Sequence, residues 1–365
     1  MDTNTLRLAN LANRRFKDTL NDGFKLFTQT YATIILPLAL FQILLIILDI
    51  ILLTDFRYYL STLETTYNAI MDNFYDGLTL TTNEWTFLTN YLILSYILIF
   101  LQNLIGALII SFAICSVSTY VYQKFMKEEI SFSEAFKSSF NKKMIMVILI
   151  LGIGLPLSSL LLYIPAIFVF VFFIFLVFTY NLESNKSPVS EARAIAKGGF
   201  WKIIGIFVIN VILIFIISFF FNLIFNILSN TDSASFIATY NSWYEPTTRN
   251  YGMIILYQII VSLADIIFAP LFICLLTALF SSLKAKKDLN YLHQKGYYPI
   301  KEIYREEYPL RQELYEKNEM DDSILGIRLK EKFYCPFCGY FISVPKKYCP
   351  KCGESLHFIS RQNED

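Results

Sequence analysis

The sequence predicts an all-α integral membrane protein with about six transmembrane helices, amphipathic interfacial helices and a small C-terminal β ribbon. Of its 365 residues, 55% are hydrophobic and 17% are charged, whereas a soluble domain carries about 25% charged residues. The apolar residues form uncharged runs that supply the roughly 20 residues a helix needs to cross a bilayer. Lysine and arginine are concentrated in alternate segments between these runs, as the positive-inside rule describes for multi-pass proteins.

Composition also argues against several classes of function. The net charge is only +1, so the overall charge does not favour nucleic acid as a partner. The two histidines, His293 and His357, are too few for most histidine-based metal sites and catalytic triads. The sequence shows no set of residues typical of a catalytic site, and we therefore predict that the protein is not an enzyme.

The predicted membrane domain covers residues 31–283. Its second uncharged run, 85–123, is punctuated by Asn90, Gln102 and Asn103 but is not divided by a turn, and predicts one long or tilted helix. A later run, 144–182, is too long for one crossing, and Pro165 within it indicates a tight hairpin near 163–165. The predicted spans are 31–53, 91–123, 144–162, 165–181, 203–228 and 252–283.

The basic residues separate two kinds of connecting segment. Segments 1–30, 124–143 and 181–202 hold five, five and four lysines and arginines. The loops 54–90 and 229–251 hold one each, and the first of these loops is predicted to form an acidic outer-surface helix. Because cytoplasmic segments are rich in lysine and arginine, we predict a cell-membrane protein whose N- and C-termini are both cytoplasmic.

Three amphipathic helices are predicted to lie in the cytoplasmic headgroup layer, each before a two-span hairpin. The first lies within 14–27, so that segment 1–30 is read as a cytoplasmic amphipathic helix. The second starts at a capping box formed by Ser131 and Glu134. The third has Ser187 as its N-cap. The pattern fits an internal repeat of helix and hairpin, or equally the amphipathic linkers of any multi-pass protein.

Asp265 is the one charge well inside a predicted span. A carboxylate at the bilayer centre costs about 2.5–3.5 kcal/mol, so it should be paired, hydrated or protonated. Two polar stripes are predicted to meet across a helix pair, either as a polar pathway or as a structural hydrogen-bond cluster. The stripes are Gln258, Ser262 and Asp265 on the last span, and Ser218, Asn222 and Asn226 on the span before it.

One stretch, 160–208, resembles a known family. It reads LLLYIPAIFVFVFFIFLVFTYNLESNKSPVSEARAIAKGGFWKIIGIFV. This pattern of an apolar run into Ile-Pro, a span, Glu-Ala and then Lys-Gly-x-x-Trp resembles uncharacterised prokaryotic multi-pass proteins related to the membrane domain of glycerophosphodiester phosphodiesterases. Ala166 stands where that family usually has glycine. The resemblance implies a multi-pass fold and carries no catalytic residue, because the paired histidines and metal-binding carboxylates of the phosphodiesterase domain are absent from the chain.

Four cysteines near the C-terminus form the most specific motif of the chain. They are Cys335, Cys338, Cys349 and Cys352. Their spacing, C-x2-C-x10-C-x2-C, and the two Cys-Pro-x-Cys-Gly knuckles CPFCG and CPKCG predict a zinc ribbon at 333–356 with one structural Zn2+ bound by four thiolates. A β-hairpin is expected to turn near 344–347. Disulfides are the alternative, but cytoplasmic thiols stay reduced.

The rest of the tail is predicted to connect and end this ribbon. Residues 284–332 mix charge with tyrosine and read as a partly helical cytoplasmic linker, and 357–365 as a disordered tail. The ribbon has almost no net charge. The negative charges of Glu354 and of a zinc–thiolate centre of about −2 balance the positive charges of Lys346, Lys347 and Lys351. That balance does not favour phosphate binding, so nucleic acid is not the expected partner.

We therefore predict a non-enzymatic membrane scaffold or regulator, embedded in the lipid bilayer, whose ribbon contacts a cytosolic protein. The first alternative is a small-solute transporter or channel that uses Asp265. The second is an accessory membrane subunit in lipid metabolism, which the family resemblance alone implies. The sequence does not indicate an oligomeric state.

Overall fold

The computed structural model describes residues 3–128, 130–160, 164–182, 187–229 and 234–294, together with 333–334 and 341–342. The elements, in chain order, are α1 Thr3–Ala12, α2 Phe16–Tyr75, α3 Thr82–Phe125, α4 Phe132–Ser139, α5 Lys142–Val147, a π-helix Ile148–Gly154, α6 Leu155–Ser159, α7 Ile164–Phe173, α8 Leu176–Thr179, α9 Pro188–Lys197, α10 Phe200–Ser229, α11 Ala234–Ser242, α12 Tyr251–Val261, α13 Leu263–Gln294, β1 Phe333–Tyr334 and β2 Phe341–Ile342.

The helices fall into two compact units. The larger unit, Leu20–Phe280, contains the apolar helices, and the smaller one consists of Met1–Thr19 and Ser281–Asp365. Large apolar side chains on the outside of the larger unit are exposed, such as Leu36 at 67% and Phe215 at 68%. Such faces suit contact with lipid, since a soluble protein rarely exposes contiguous apolar patches of this extent.

Five helices in the described residues are long and apolar enough to cross a membrane. They are Phe16–Tyr75, Thr82–Phe125, Lys142–Ser159, Phe200–Leu228 and Leu263–Asn290. In the most apolar stretch of the last one, 78% of the residues are buried, against 17–28% in the other four. The helical architecture is therefore compatible with the multi-pass protein predicted from the sequence, and α13 is the most enclosed of these helices.

The sequence predicts six spans, whereas five helices in the part of the chain that the structure describes are long enough to cross a membrane. The span that accounts for the difference is the fourth, 165–181. This segment forms the shorter apolar stretch Ile164–Thr179, which is divided into α7 and α8 by a turn after Phe173. The predicted hairpin near 163–165 falls close to a boundary between two helices: α6 ends at Ser159 and α7 starts at Ile164, and 161–163 lie outside the described residues. As one continuous helix its sixteen residues would cover only about 24 Å, and α7 and α8 contain just fourteen of them, so the segment is shorter than the other five.

Contacts with α3 show how far this shorter segment travels. Before it, at the end of α6, the carbonyl of Leu160 accepts a hydrogen bond from the Tyr96 hydroxyl at 2.9 Å. At its end, the Tyr180 hydroxyl donates to the carbonyl of Cys115 at 3.1 Å. Tyr96 and Cys115 are separated by about 28 Å of continuous helix. The segment therefore returns along most of a bilayer thickness, although its crossing of a membrane stays a prediction.

Helix α2 corrects two of the predicted boundaries. The amphipathic helix predicted within 14–27 and the outer helix predicted within 54–90 are both parts of one 60-residue helix, Phe16–Tyr75, which also contains the first predicted span. The helix continues through both Gly23 and Pro37, and hydrophobic periodicity alone does not show where one helix ends and another begins. At 1.5 Å per residue the helix is roughly 90 Å long.

Aromatic contacts fix α2 antiparallel to α3. The rings of Tyr67 and Tyr91 stack with centroids 4.4 Å apart, and those of Phe74 and Trp85 meet edge to face at 6.2 Å. The chain reverses between the helices at Gly77, whose φ of +81° suits a residue without a Cβ. α3 itself is one helix of 44 residues, as predicted for this undivided run.

The other two helices predicted to be interfacial have the caps that the sequence predicts. The Ser131 hydroxyl accepts from the Glu134 amide at the start of α4, and the Glu134 carboxylate accepts from the Ser131 amide, which completes a capping box. Ser187 caps α9, with Pro188 in the first turn. These short helices therefore begin at residues that local sequence alone specifies.

A polar network, not predicted from the sequence, holds α4 against α3 and the end of α8. The Asn181 amide donates to Thr119 at 2.9 Å and accepts from Asn141 at 3.0 Å. The hydroxyl of the fully buried Tyr180 shares its single proton between the carbonyl of Cys115 and that of Ser139, 3.2 Å away. Because each of these polar groups finds a partner, the network can be buried without the cost of an unsatisfied donor.

Two glycines allow helices of the larger unit to pack closely. A Cβ on Gly23 of α2 would lie 2.9 Å from the Cα of Leu275 in α13. A Cβ on Gly152, in the π-helix, would lie 3.2 Å from the Cα of Leu108 in α3. Both contacts involve backbone, so the neighbouring helix itself would have to move to make room for a side chain.

Candidate functional site in the membrane helices

Asp265 lies at a break in what the sequence predicts as one span, 252–283. α12 ends at Val261, Ser262 has φ −88° and ψ 8°, and α13 begins at Leu263. The break places Asp265 in the first turn of α13. Sequence periodicity misses this because the flanking residues remain apolar. The positive end of the helix dipole favours a carboxylate at this position.

The two predicted polar stripes do meet. The Ser218 hydroxyl of α10 donates to Oδ1 of Asp265 at 2.7 Å. On the Asp265 side, the Gln258 amide lies 3.4 Å from the Ser262 hydroxyl, at the long end of hydrogen-bond distances. The structure thus joins Asp265 to α10 through one short hydrogen bond, while Gln258 and Ser262 bond to each other across the helix break.

The remaining predicted residues continue the α10 stripe. Asn222 lies one helical turn after Ser218, and its Oδ1 is buried and has no hydrogen-bond partner in the described part of the chain. Asn226, one turn further, is half-buried and engaged in an interaction of its own. A buried carbonyl oxygen without a donor carries a desolvation cost, which makes Asn222 the uncompensated member of the stripe.

An apolar cluster lies beside this polar group. Ile266, next to Asp265, belongs to a buried cluster with Ile254 of α12 and with Ile46 and Ile50 of α2. Asp265 itself is half-buried, and no lysine or arginine of the described residues pairs with its carboxylate. Such a group can act as a proton or cation acceptor, or as a hydrogen-bonded link between α10 and α13.

An ion pair on α2 was not anticipated from the sequence. Arg57 donates to the Asp49 carboxylate at 2.5 Å. With its amide oxygen turned towards α2, Gln102 of α3 accepts from Nη2 and Nε of Arg57 at 2.6 and 3.2 Å. The sequence predicts that Arg57 lies in the outer loop 54–90. Its partner Gln102, however, lies within the predicted span 91–123, six residues or about 9 Å along α3 from Tyr96. The guanidinium is therefore level with the interior of the predicted span 91–123.

A second ion pair ties α2 to the segment before α12. Arg249 forms a hydrogen-bonded ion pair with Asp55, and it also donates to the Tyr251 hydroxyl at 3.1 Å and to the Tyr244 carbonyl at 3.3 Å. The hydrogen bond to Asp55 is the main reason why the pKa of Arg249 is raised above its ordinary value. Burial likewise raises the pKa of Tyr240, whose hydroxyl lies 2.9 Å from that of Tyr244.

One sequence signal could have found both pairs. The two loops assigned to the outer side contain one basic residue each, Arg57 and Arg249, while Asp49 lies near the end of the first predicted span and Asp55 just after it. Near apolar helices, isolated charges of opposite sign are expected to pair with one another. The i, i+8 spacing of Asp49 and Arg57 places both on one face of α2.

The four predicted metal ligands, Cys335, Cys338, Cys349 and Cys352, lie outside the described residues, as does the predicted turn at 344–347. The structure describes the two short strands beside the first pair: Phe333 pairs with Ile342 and Tyr334 with Phe341 in antiparallel register. Within the part of the chain that the structure describes, no three His, Cys, Asp or Glu side chains come together as a metal site would require.

Comparison with known proteins identified no similar protein. No protein-family model, curated protein or solved structure matches the chain. The family resemblance of residues 160–208 therefore stays a prediction, and the function has to be argued from the chain itself.

Proposed function

We propose that this protein is a membrane-embedded scaffold or regulator whose cytoplasmic tail carries a zinc ribbon that contacts a protein partner. The observation that carries the proposal is the pair of Cys-Pro-x-Cys-Gly knuckles, supported by the antiparallel pairing of β1 with β2. Tyr334 pairs with Phe341, so the first knuckle connects two paired strands. A short hairpin bearing a pair of cysteines is a suitable support for two of the four ligands.

Zinc accounts for how so small a module folds. The segment 333–356 is too short to bury a hydrophobic core, whereas structural zinc binding contributes about 10–16 kcal/mol in zinc-finger peptides. Four thiolates close the coordination sphere, which makes the ion structural and leaves no open position for catalysis. The ribbon therefore offers a rigid surface and no reactive centre, which suits a contact with another protein.

Zinc analysis of the purified full-length protein tests the ribbon. We expect one zinc ion per chain, and loss of that ion after Cys349→Ser combined with Cys352→Ser. Cys115→Ser is the matched control, because Cys115 is a buried thiol of α3 and its removal should leave the zinc content unchanged. A wild-type protein purified without chelators and free of zinc would contradict the proposal.

Co-purification tests the partner. Deleting residues 333–365 should remove cytosolic proteins that co-purify with the full-length chain from its native membrane. The double cysteine variant should remove the same proteins, because it unfolds the ribbon without shortening the tail. An unchanged set of co-purifying proteins in both variants would rule out the ribbon as the contact.

The second candidate function is transport of a small solute, favoured by the Ser218–Asp265 hydrogen bond between α10 and α13. An ionisable residue inside a helix bundle is often part of a substrate or proton pathway. Proteoliposomes with the purified chain should then show solute flux that Asp265→Asn abolishes. Flux that persists in this variant would argue against Asp265 as the transport residue.

A further inference from the structure

Within the described residues, Asp265 has no counter-charge. The carboxylates Asp49, Asp55 and Asp288 each form an ion pair, whereas no lysine or arginine in that part of the chain pairs with Asp265. Its one described hydrogen bond comes from Ser218. An ionised carboxylate among apolar helices needs either a positive partner or a proton. The helix dipole at the start of α13 offers only part of a charge.

Nearby oxygen atoms suit a small cation. The Ser218 oxygen keeps lone pairs after donating its proton to Asp265. Asn222, one turn along the same helix, has a buried carbonyl oxygen without a described donor. Helical residues four apart lie side by side. Carboxylate, hydroxyl and amide oxygens are hard ligands, which bind hard cations in preference to soft ones, and a single carboxylate balances a single positive charge.

We propose that Asp265, Ser218 and Asn222 form a binding site for a monovalent cation, which is either a proton on the Asp265 carboxyl or a sodium ion held by oxygen atoms of the three side chains. This site gives a ligand class to the second candidate function, and in that respect rests on it, but it is independent of the zinc ribbon. It requires binding alone, so it can exist in a protein that transports nothing.

Other ionisable groups on the neighbouring helices have other partners or lie far from Ser218 along the chain. Asp49 of α2 is paired with Arg57. Lys202 precedes Ser218 by sixteen residues on α10, or about 24 Å along the helix. Tyr257 of α12 packs against Phe236 and has its own interactions, and Cys274 of α13 lies beside Thr30. None of these provides the missing positive charge.

Carbodiimide labelling of the full-length protein tests the site. Dicyclohexylcarbodiimide forms a stable adduct with protonated carboxyls in apolar surroundings, and mass spectrometry assigns the adduct to a residue. We expect an adduct on Asp265 in wild-type protein and its loss in Asp265→Asn. Asp49→Asn is the matched control, because that carboxylate has a basic partner, and this variant should keep the adduct on Asp265.

Sodium distinguishes the two cations. If the site binds sodium, sodium chloride should suppress the Asp265 adduct while choline chloride does not, and Asn222→Leu should remove this protection. If the site binds only a proton, the adduct should form to the same extent in sodium chloride and in choline chloride. A wild-type protein that forms no Asp265 adduct in choline chloride would overturn the proposal. Labelling without flux would leave the site intact and reject only transport.

Discussion

At Gly23 the absence of a side chain decides how closely two helices pack. A Cβ at this position would lie 2.9 Å from the Leu275 Cα and 2.7 Å from its Cδ2, distances at which helix α13 would have to shift. We expect Gly23→Ala to destabilise the protein by about 1–3 kcal/mol, the usual cost of overpacking. Thermal unfolding in detergent would measure this as a lower midpoint.

Gly106 of α3 provides the control for this prediction. A Cβ there would have no neighbour within 4 Å, and alanine is favoured over glycine in helices by about 1 kcal/mol. Gly106→Ala should therefore leave the unfolding midpoint unchanged or raise it. Equal losses at both glycines would show that the close contact at Gly23 is not the cause.

The buried hydroxyl of Tyr180 links three elements. It donates towards the carbonyls of Cys115 in α3 and Ser139 in α4, and its residue is fully buried at the end of α8. Tyr180→Phe should lower the free energy of unfolding by about 0.5–1.5 kcal/mol, the net value of a typical hydrogen bond. Tyr75→Phe, at a position 76% exposed, should have no measurable effect in the same unfolding assay.

At the scale of elements, the first turn of α3 should depend on pH. Hydrogen bonds from the Thr81 backbone amide and hydroxyl hold the pKa of the Glu84 carboxyl below its ordinary value of 4.5. The stabilisation is therefore complete above that ordinary value and is lost as the pH falls through the lowered pKa of the folded state. Hydrogen exchange of residues 82–86, corrected for intrinsic rates, should show fraying of the turn in that acidic range.

Glu84→Gln separates this effect from general acid unfolding. Glutamine still accepts hydrogen bonds but does not titrate, so the exchange of this turn should no longer change with pH in the variant. The middle of α3, around residues 105–115, should remain protected throughout in both proteins. Parallel loss of protection in both regions would indicate unfolding of the whole helix instead.

Helix starts were more predictable than helix ends and breaks. Ser131 and Ser187 cap α4 and α9 as predicted, because capping depends on a few residues close in sequence. The continuity of α2 and the break at Ser262 were missed, since both depend on packing between helices distant in sequence. The same distinction applies to the candidate site. The polar stripes that contain Ser218 and Asp265 can be predicted from helical periodicity. The contact between Arg57 and Gln102 cannot, because it depends on how α2 is aligned along α3.

At the scale of the whole molecule, the segment 164–179 decides the topology. If it crosses the membrane, α10 starts in the cytoplasm and residue 247, between α11 and α12, lies outside. Thr247→Cys should then react with a membrane-impermeant maleimide in intact cells. Ser133→Cys, on the exposed face of α4, should react only after the cells are permeabilised. If both residues lay on the same side, the segment would not cross, and the C-terminus would face the opposite side from the one predicted.

Because α2 is continuous from Phe16 to Tyr75, insertions and deletions within it should be poorly tolerated. Loops absorb inserted or deleted residues easily, but a helix turns by about 100° for each residue added. A single insertion after Pro37 would rotate Asp49, Asp55 and Arg57 together, away from Arg249 and Gln102, while Gly23 kept its place. Sixty consecutive codons should therefore tolerate many substitutions on the outward faces of the helix and almost no change in length.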